Sequence, residues 1–248
     1  TKVSAIYSGG NITDKNPGVE EYDYQSLGIM YLKEQETLKY GTNFNYSLGI
    51  LQSKFDFDQG SNEDITSLKA GIGYVRYLKQ GSRFKYMTRG ELGVNYHDME
   101  RKIYLSNGTY KNNGDYFSGT AEWKNRLNYE LPIISKNFKM DIFGSLNTGY
   151  GKFQGFKEDG DGMYLDVKSE DYFSLRPGAG VEGEWSYTTV KGSKFMLTAG
   201  AAYEYETQDI YGDGNEVKIA NTDAGYYRLE EPEKIDNIFK ANVGVGYE

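Results

Sequence analysis

The chain has 248 residues, with 36 acidic against 28 basic side chains for a formal charge of −8, a single histidine and no cysteine. Disulfides, thiolate nucleophiles and cysteine-ligated metals are excluded, and His97 alone cannot build a multi-histidine metal site. The acidic balance, without any block of Lys and Arg, argues against a nucleic-acid groove, and no run of about 20 apolar residues could cross a membrane as a helix.

At the amino end, Thr1-Lys2-Val3 carries neither an initiating Met nor a charged-then-apolar signal segment, so the chain reads as a piece of a longer or processed precursor. Ten strands are expected, at about 2–8, 22–33, 37–55, 65–78, 83–98, 116–131, 138–153, 172–188, 194–207 and 238–248. The fifth sets Phe84, Tyr86, Leu92, Val94 and Tyr96 on one parity, against Lys85, Arg89, Glu91, Asn95 and His97 on the other. In the sixth, Phe117, Ala121, Trp123, Leu127, Tyr129 and Leu131 oppose Ser118, Glu122, Lys124, Arg126 and Glu130. The ninth and tenth repeat the split, with Phe195, Leu197, Tyr203 and Tyr205, then Phe239, Val243, Val245 and Tyr247, on their apolar parities.

Two features separate this pattern from a soluble sheet. The apolar parity begins and ends on aromatics with small or aliphatic residues between, as lipid-facing strands do at their two interfaces. The runs are also far longer than the five or six residues usual in soluble sheets. Connections alternate: Leu32–Thr37, Lys79–Ser82, Pro132–Asn137 and Thr189–Ser193 are short, whereas Gly9–Glu21, Asp56–Asp64, Met99–Asp115, Gln154–Asp171 and Gln208–Asn237 are long and polar. The expected fold is all-β, an antiparallel up-and-down transmembrane β-barrel showing ten strands of an expected twelve, with no helix and no internal linker.

Three local motifs have ordinary explanations. Gly178-Ala179-Gly180-Val181-Glu182-Gly183 matches a dinucleotide fingerprint but lies inside an alternating strand, with no helix to open. Glu158-Asp159-Gly160-Asp161-Gly162 lacks the full spacing of a calcium loop and reads as a solvated turn. His97 and Asp98 are adjacent and point to opposite faces of a strand, leaving His97 as a strand-end residue at a loop junction. The polar parity is the sharper signal. Arg89, Glu91, Glu122, Lys124, Arg126, Glu130, Asp141, Glu182, Glu184, Glu204, Glu206 and Lys240 project to one interior, which a packed core would not tolerate and a water-filled or plugged lumen would.

The order of segments resembles the carboxyl-terminal translocator domain of autotransporters, the single-chain type V secretion proteins. Tyr24-Gln25-Ser26-Leu27-Gly28-Ile29-Met30-Tyr31 and Tyr40-Gly41-Thr42-Asn43-Phe44-Asn45-Tyr46-Ser47 are similar to that family's second and third strands. Leu68-Lys69-Ala70-Gly71-Ile72-Gly73-Tyr74-Val75-Arg76-Tyr77 resembles its fourth, and Asn95-Tyr96-His97-Asp98-Met99-Glu100-Arg101 the outer rim of its fifth. The resemblance implies an outer-membrane barrel that anchors a covalently attached N-terminal passenger and helps export it, without enzymatic activity or cofactor. Its implied partners are outer-membrane lipid, the passenger with its linker helix, and the barrel assembly machinery, with no nucleic acid.

Two departures stand out. The family has twelve strands and a terminal aromatic residue, whereas this chain offers ten and stops at Tyr247-Glu248, so the full-length protein is expected to continue by about two strands, on the order of 25–35 residues. An open gap between the first and tenth strands is expected to match. The family's linker helix would precede Thr1. The alternatives are another ten-stranded outer-membrane barrel, an omptin-like protease or a simple porin or surface-binding barrel; the protease needs a His-Asp pair and an Asp pair that the single His97 does not supply with the expected spacing.

Overall fold

The computed structural model describes residues 2–12, 21–37, 42–79, 81–132, 135–190, 192–208, 215–229 and 236–247. Ten long strands form the wall: β1 (Lys2–Ile12), β2 (Tyr22–Thr37), β3 (Thr42–Phe57), β4 (Asn62–Tyr77), β5 (Phe84–Leu105), β6 (Gly108–Glu130), β7 (Phe138–Phe153), β11 (Glu170–Thr188), β12 (Lys194–Tyr205) and β15 (Asn237–Tyr247). Five short ones lie in the connections: β8 (Phe156–Lys157), β9 (Asp159–Gly160), β10 (Leu165–Val167), β13 (Glu216–Ile219) and β14 (Tyr227–Arg228). Each wall strand pairs antiparallel with the next, an up-and-down meander from β1 to β15.

Period-two alternation fixes which face each side chain takes, and the outcome is a protein turned inside out. Ile72 and Leu92 are 66% and 65% exposed on the outer face. Ser26, Ser47, Ser53, Ser67, Asn128, Asn147, Glu204 and Glu206 are buried on the inner one. In water, such an outer face would forfeit the hydrophobic stabilisation that folds soluble chains; in lipid it is the favourable arrangement. Aromatic pairs mark its margins. Phe44–Tyr74 and Phe84–Tyr129 sit near the short-turn end with centroids 4.8 and 4.9 Å apart, and Tyr96–Phe117 and Tyr203–Phe239 toward the other end at 5.2 and 5.0 Å. From Phe84 to Tyr96 a strand tilted by roughly 40° climbs about 30 Å, enough for a hydrocarbon core.

On the inner face, large rings use the room that glycines leave on the neighbouring strand. Tyr172 of β11 lies over Gly151 of β7, and Phe143 of β7 over Gly180 of β11, where any Cβ would collide with the ring. Gly178–Gly183 is therefore wall, as its alternation indicated, and Gly180 makes room for an inward aromatic ring.

The long connections differ from expectation. Residues 56–64 are mostly strand, with a tight turn at 58–61 in which Phe57 N donates to Ser61 O at 2.9 Å and Gly60 takes a φ of 84°. Residues 99–115 continue the β5–β6 hairpin to a turn at Ser106-Asn107, and residues 32–37 belong to β2; residues 38–41, part of the expected third strand, lie outside the described residues. Of the 154–171 and 208–237 connections, β8, β10, β13 and β14 form a separate four-stranded sheet in the order β14-β13-β10-β8. This loop sheet holds the only buried apolar side chains among the described residues, Val167, Val217 and Ala220. β1 and β15 pair with β2 and β12 and not with one another among the described residues, so the wall is open between them, as expected.

Candidate functional site

The inner face brings most of the twelve sequence-selected charges into ion pairs. Arg89 reaches across β4 to donate to Asn45 Oδ1 at 3.1 Å and Ser47 Oγ at 2.6 Å, and lies 3.4 Å from Glu91. Lys124 Nζ stands 2.6 Å from Glu91 and 2.7 Å from Glu122. Arg126 spans β7 to pair with Glu182, its guanidinium 3.5 Å over the Phe143 ring. Asp141 accepts from Asn128 at 3.0 Å and faces Lys85 at 3.5 Å.

A second group sits deeper. Lys240 Nζ is 2.7 Å from Glu204, which also accepts from Asn147 at 3.0 Å. Glu206 accepts from Ser174 Oγ and from the Leu175 N–H at 3.0 Å, with Arg176 at 3.8 Å. Glu130 and Glu184 form no ion pair among the described residues. Pairs near water contribute little each, up to about 1 kcal/mol, whereas a carboxylate as buried as Glu204 or Glu206 depends on its partners. Sequence reading placed Lys85 on the polar parity of β5 without selecting it for the lumen, and it missed Arg176 and the neutral partners Asn45, Ser47, Asn147 and Ser174.

These neighbours give an accessibility test. Single cysteines at Glu122, Lys124 or Arg126 should react with charged thiol reagents when the barrel is in liposomes, and cysteines at the outward Ala121 or Trp123 should not. Equal labelling of both sets would place the two faces in the same solvent.

At the long-loop end the inner face changes character. His97 is not a strand-end residue, since β5 runs on to Leu105, and its ring lies inward between Glu63 and Ser118, each 2.8 Å from a ring nitrogen. Tyr116 stacks on it at 4.2 Å and donates to Glu63 at 2.7 Å. Asp98 takes the opposite parity, as expected for its neighbour in a strand. The loop sheet closes against this region through Phe156, which stacks on Tyr116 at 4.5 Å, leaving a cavity of about 400 Å³. Glu158 corrects the reading of its loop as a solvated turn: it is buried, paired bidentately with Arg101, with one contact at 2.6 Å, and accepts from the Leu165 N–H at 2.7 Å. No group of three or more His, Asp or Glu is placed to hold a metal among the described residues. On the loop sheet, Lys168 beside Glu216 holds that carboxyl below the usual carboxylate range.

Comparison with known proteins follows this geometry. The family model described as the autotransporter beta-domain matches residues 1–248. The translocator domain of the autotransporter NalP from Neisseria meningitidis superposes with a TM-score of 0.63 at 15% identity, covering 98% of this chain and 81% of that one. The beta domain of the Bordetella autotransporter BrkA gives 0.57 at 10% identity, covering 99% and 91%. No curated protein matches the chain by sequence. At such identities the structural likeness shows the fold; the family model carries the rest.

Proposed function

The chain belongs to the autotransporter β-domain family, outer-membrane barrels of Gram-negative bacteria that anchor and help export a passenger attached on their N-terminal side, and from that premise we propose how its residues do this work. Residues 1–248 act as one barrel unit. Its outer face holds it in outer-membrane lipid, and the aromatic pairs at the two margins set its depth. The passenger's linker segment occupies the lumen, lined by Arg89, Glu91, Glu122, Lys124, Arg126, Glu130, Asp141, Glu182, Glu184, Glu204, Glu206 and Lys240, and the barrel assembly machinery inserts the wall.

The observation that supports this path is the inner ladder of ion pairs that bridge strands. A polar segment moving past such a surface exchanges water for fixed charges and hydrogen-bonding groups instead of being desolvated against apolar walls. Transport is accordingly the work of the lumen's charges. The ten-stranded protease and the free-standing porin are not favoured by the family match.

Arg126 gives the test, since its pairing with Glu182 bridges β6 to β11 over β7. Arg126→Glu should place two carboxylates together and reduce passenger reaching the cell surface several-fold, scored by protease accessibility on intact cells. The barrel itself should stay folded, seen as retained heat-modifiable gel mobility. Unchanged display by a folded variant would remove the lumen's charges from the export path.

A further inference from the structure

The cavity under the loop sheet is lined by none of the twelve lumen charges, and its wall side holds an ordered chain of hydrogen bonds. His97 Nε2 is 2.8 Å from Ser118 Oγ, and His97 Nδ1 is 2.8 Å from Glu63 Oε1. Both His97 and Ser118 line the cavity. Directions follow from the donors at either end. Glu63, as a carboxylate, only accepts, from the Tyr116 hydroxyl at 2.7 Å and therefore also from Nδ1–H. At the other end Asn95 Nδ2, a donor, gives to Ser118 Oγ at 2.8 Å, so the serine hydrogen goes to the free Nε2 lone pair.

The ring has little freedom. His97 and Glu63 side chains are 12% and 15% exposed, and Tyr116 lies parallel to the imidazole within 10°. A serine whose oxygen donates to Nε2 of a histidine, itself held through Nδ1–H by a carboxylate, is the arrangement that activates a hydroxyl as a nucleophile. Much of the remaining lining is apolar, with Phe153, Phe156, Leu165, Val167 and Val217, beside the Arg101–Glu158 pair and Lys152, and its size falls within the roughly 300–1,000 Å³ of small-molecule sites.

We infer that the chain carries, apart from its transport path, a serine-nucleophile site for carboxylic esters with an apolar acyl group. Ser118 Oγ attacks the ester carbonyl carbon while its proton passes to His97 Nε2. Collapse of the tetrahedral intermediate breaks the ester C–O bond, and the leaving alcohol takes the proton from His97, leaving an acyl-Ser118. Water then attacks the acyl carbon, giving its proton to His97. Expulsion of Ser118 Oγ, which recovers that proton, releases the acid and restores the site. Glu63 is a positioning residue that holds His97 in the Nδ1–H tautomer and stabilises its cation.

The test uses the full-length protein in outer-membrane preparations, exposed to a fluorophosphonate probe and to p-nitrophenyl butyrate and octanoate. The expected result is a covalent adduct mapped by peptide mass to Ser118, absent in Ser118→Ala, and ester hydrolysis that Ser118→Ala or His97→Gln lowers roughly 10³-fold or more. Glu63→Gln should lower kcat by about 10²-fold or more with KM unchanged, and Glu63→Asp should recover part of it, a split that a merely structural carboxylate would not produce. Heat-modifiable mobility verifies that each variant is folded. Folded wild-type protein that takes no adduct at Ser118, or hydrolyses ester no faster than Ser118→Ala, overturns the assignment and leaves the transport reading untouched. Labelling that maps elsewhere and survives in Ser118→Ala overturns it equally.

Discussion

Replacing Arg101 with leucine will detach the loop sheet from the wall while the wall itself stays folded. Glu158 carries 1% side-chain exposure and takes both of its charge-assisted bonds from Arg101, on Nε and Nη2. Without that cation the carboxylate is buried with only the Leu165 N–H and must either escape to water or bind a proton. Breaking a buried pair from one side costs about 3–5 kcal/mol, and this loss falls on one local unit because β8 and β10 lie in the same connection as Glu158. Hydrogen exchange should rise over residues 156–168, and proteases should nick there, with gel mobility of the folded barrel unchanged. Removing both charges, with Arg101→Leu and Glu158→Leu together, should recover most of the loss, since two apolar side chains leave no orphaned charge. Unaltered exchange in the single variant would show that the pair does not hold the sheet.

Leu92→Arg should cost about 2–4 kcal/mol of folding into lipid, because Leu92 points outward midway between the aromatic pairs of β5. Arg89, three residues earlier, points inward to Asn45, Ser47 and Glu91, and Arg89→Leu should lose only about 1 kcal/mol: Glu91 keeps Lys124 as a partner, and water can reach the vacated groups. Reversible refolding into liposomes followed over denaturant reads both. Equal penalties would mean that the two faces of β5 see the same surroundings.

The wall was legible because lipid imposes a strict period: one parity must be apolar at Leu92, Val94 and Tyr96, and the inward parity is then read off by default. That signal stops where the lipid stops. Beyond Asp98 the hairpin of β5 and β6 leaves the lipid and meets water and the polar connection that carries Glu158, so Glu100, Arg101 and Lys102 carry no alternation, and a paired strand there looks like a polar loop. The loop sheet was illegible for another reason, since its central ladder joins Leu165 to Ile219, which no local pattern links. In the site, the charges were visible one by one, but their partners were not, because Arg126 and Glu182 meet over a strand lying between them. Glu63, Tyr116 and Ser118 were recoverable in principle. The outward aromatic pair of Tyr96 and Phe117 fixes a register in which Asn95 faces Ser118 and His97 faces Tyr116; that register was not drawn from the sequence.

The distance along the chain between the two halves of the loop sheet also sets a timetable. Several wall strands meet their neighbours through turns of a few residues, as β3–β4, β4–β5, β5–β6 and β11–β12 do, so their pairing carries little loop-closure entropy, whereas β7–β11 and β12–β15 are joined by the two long connections. The ladder from Leu165 to Ile219 joins two connections that β11 and β12 separate along the chain, so its closure is the more costly one. The loop sheet is therefore expected to order after the strands that flank its two connections. Closure between segments so far apart along the chain costs more entropy than closing a hairpin, so the cover over Tyr116 follows the wall it rests on.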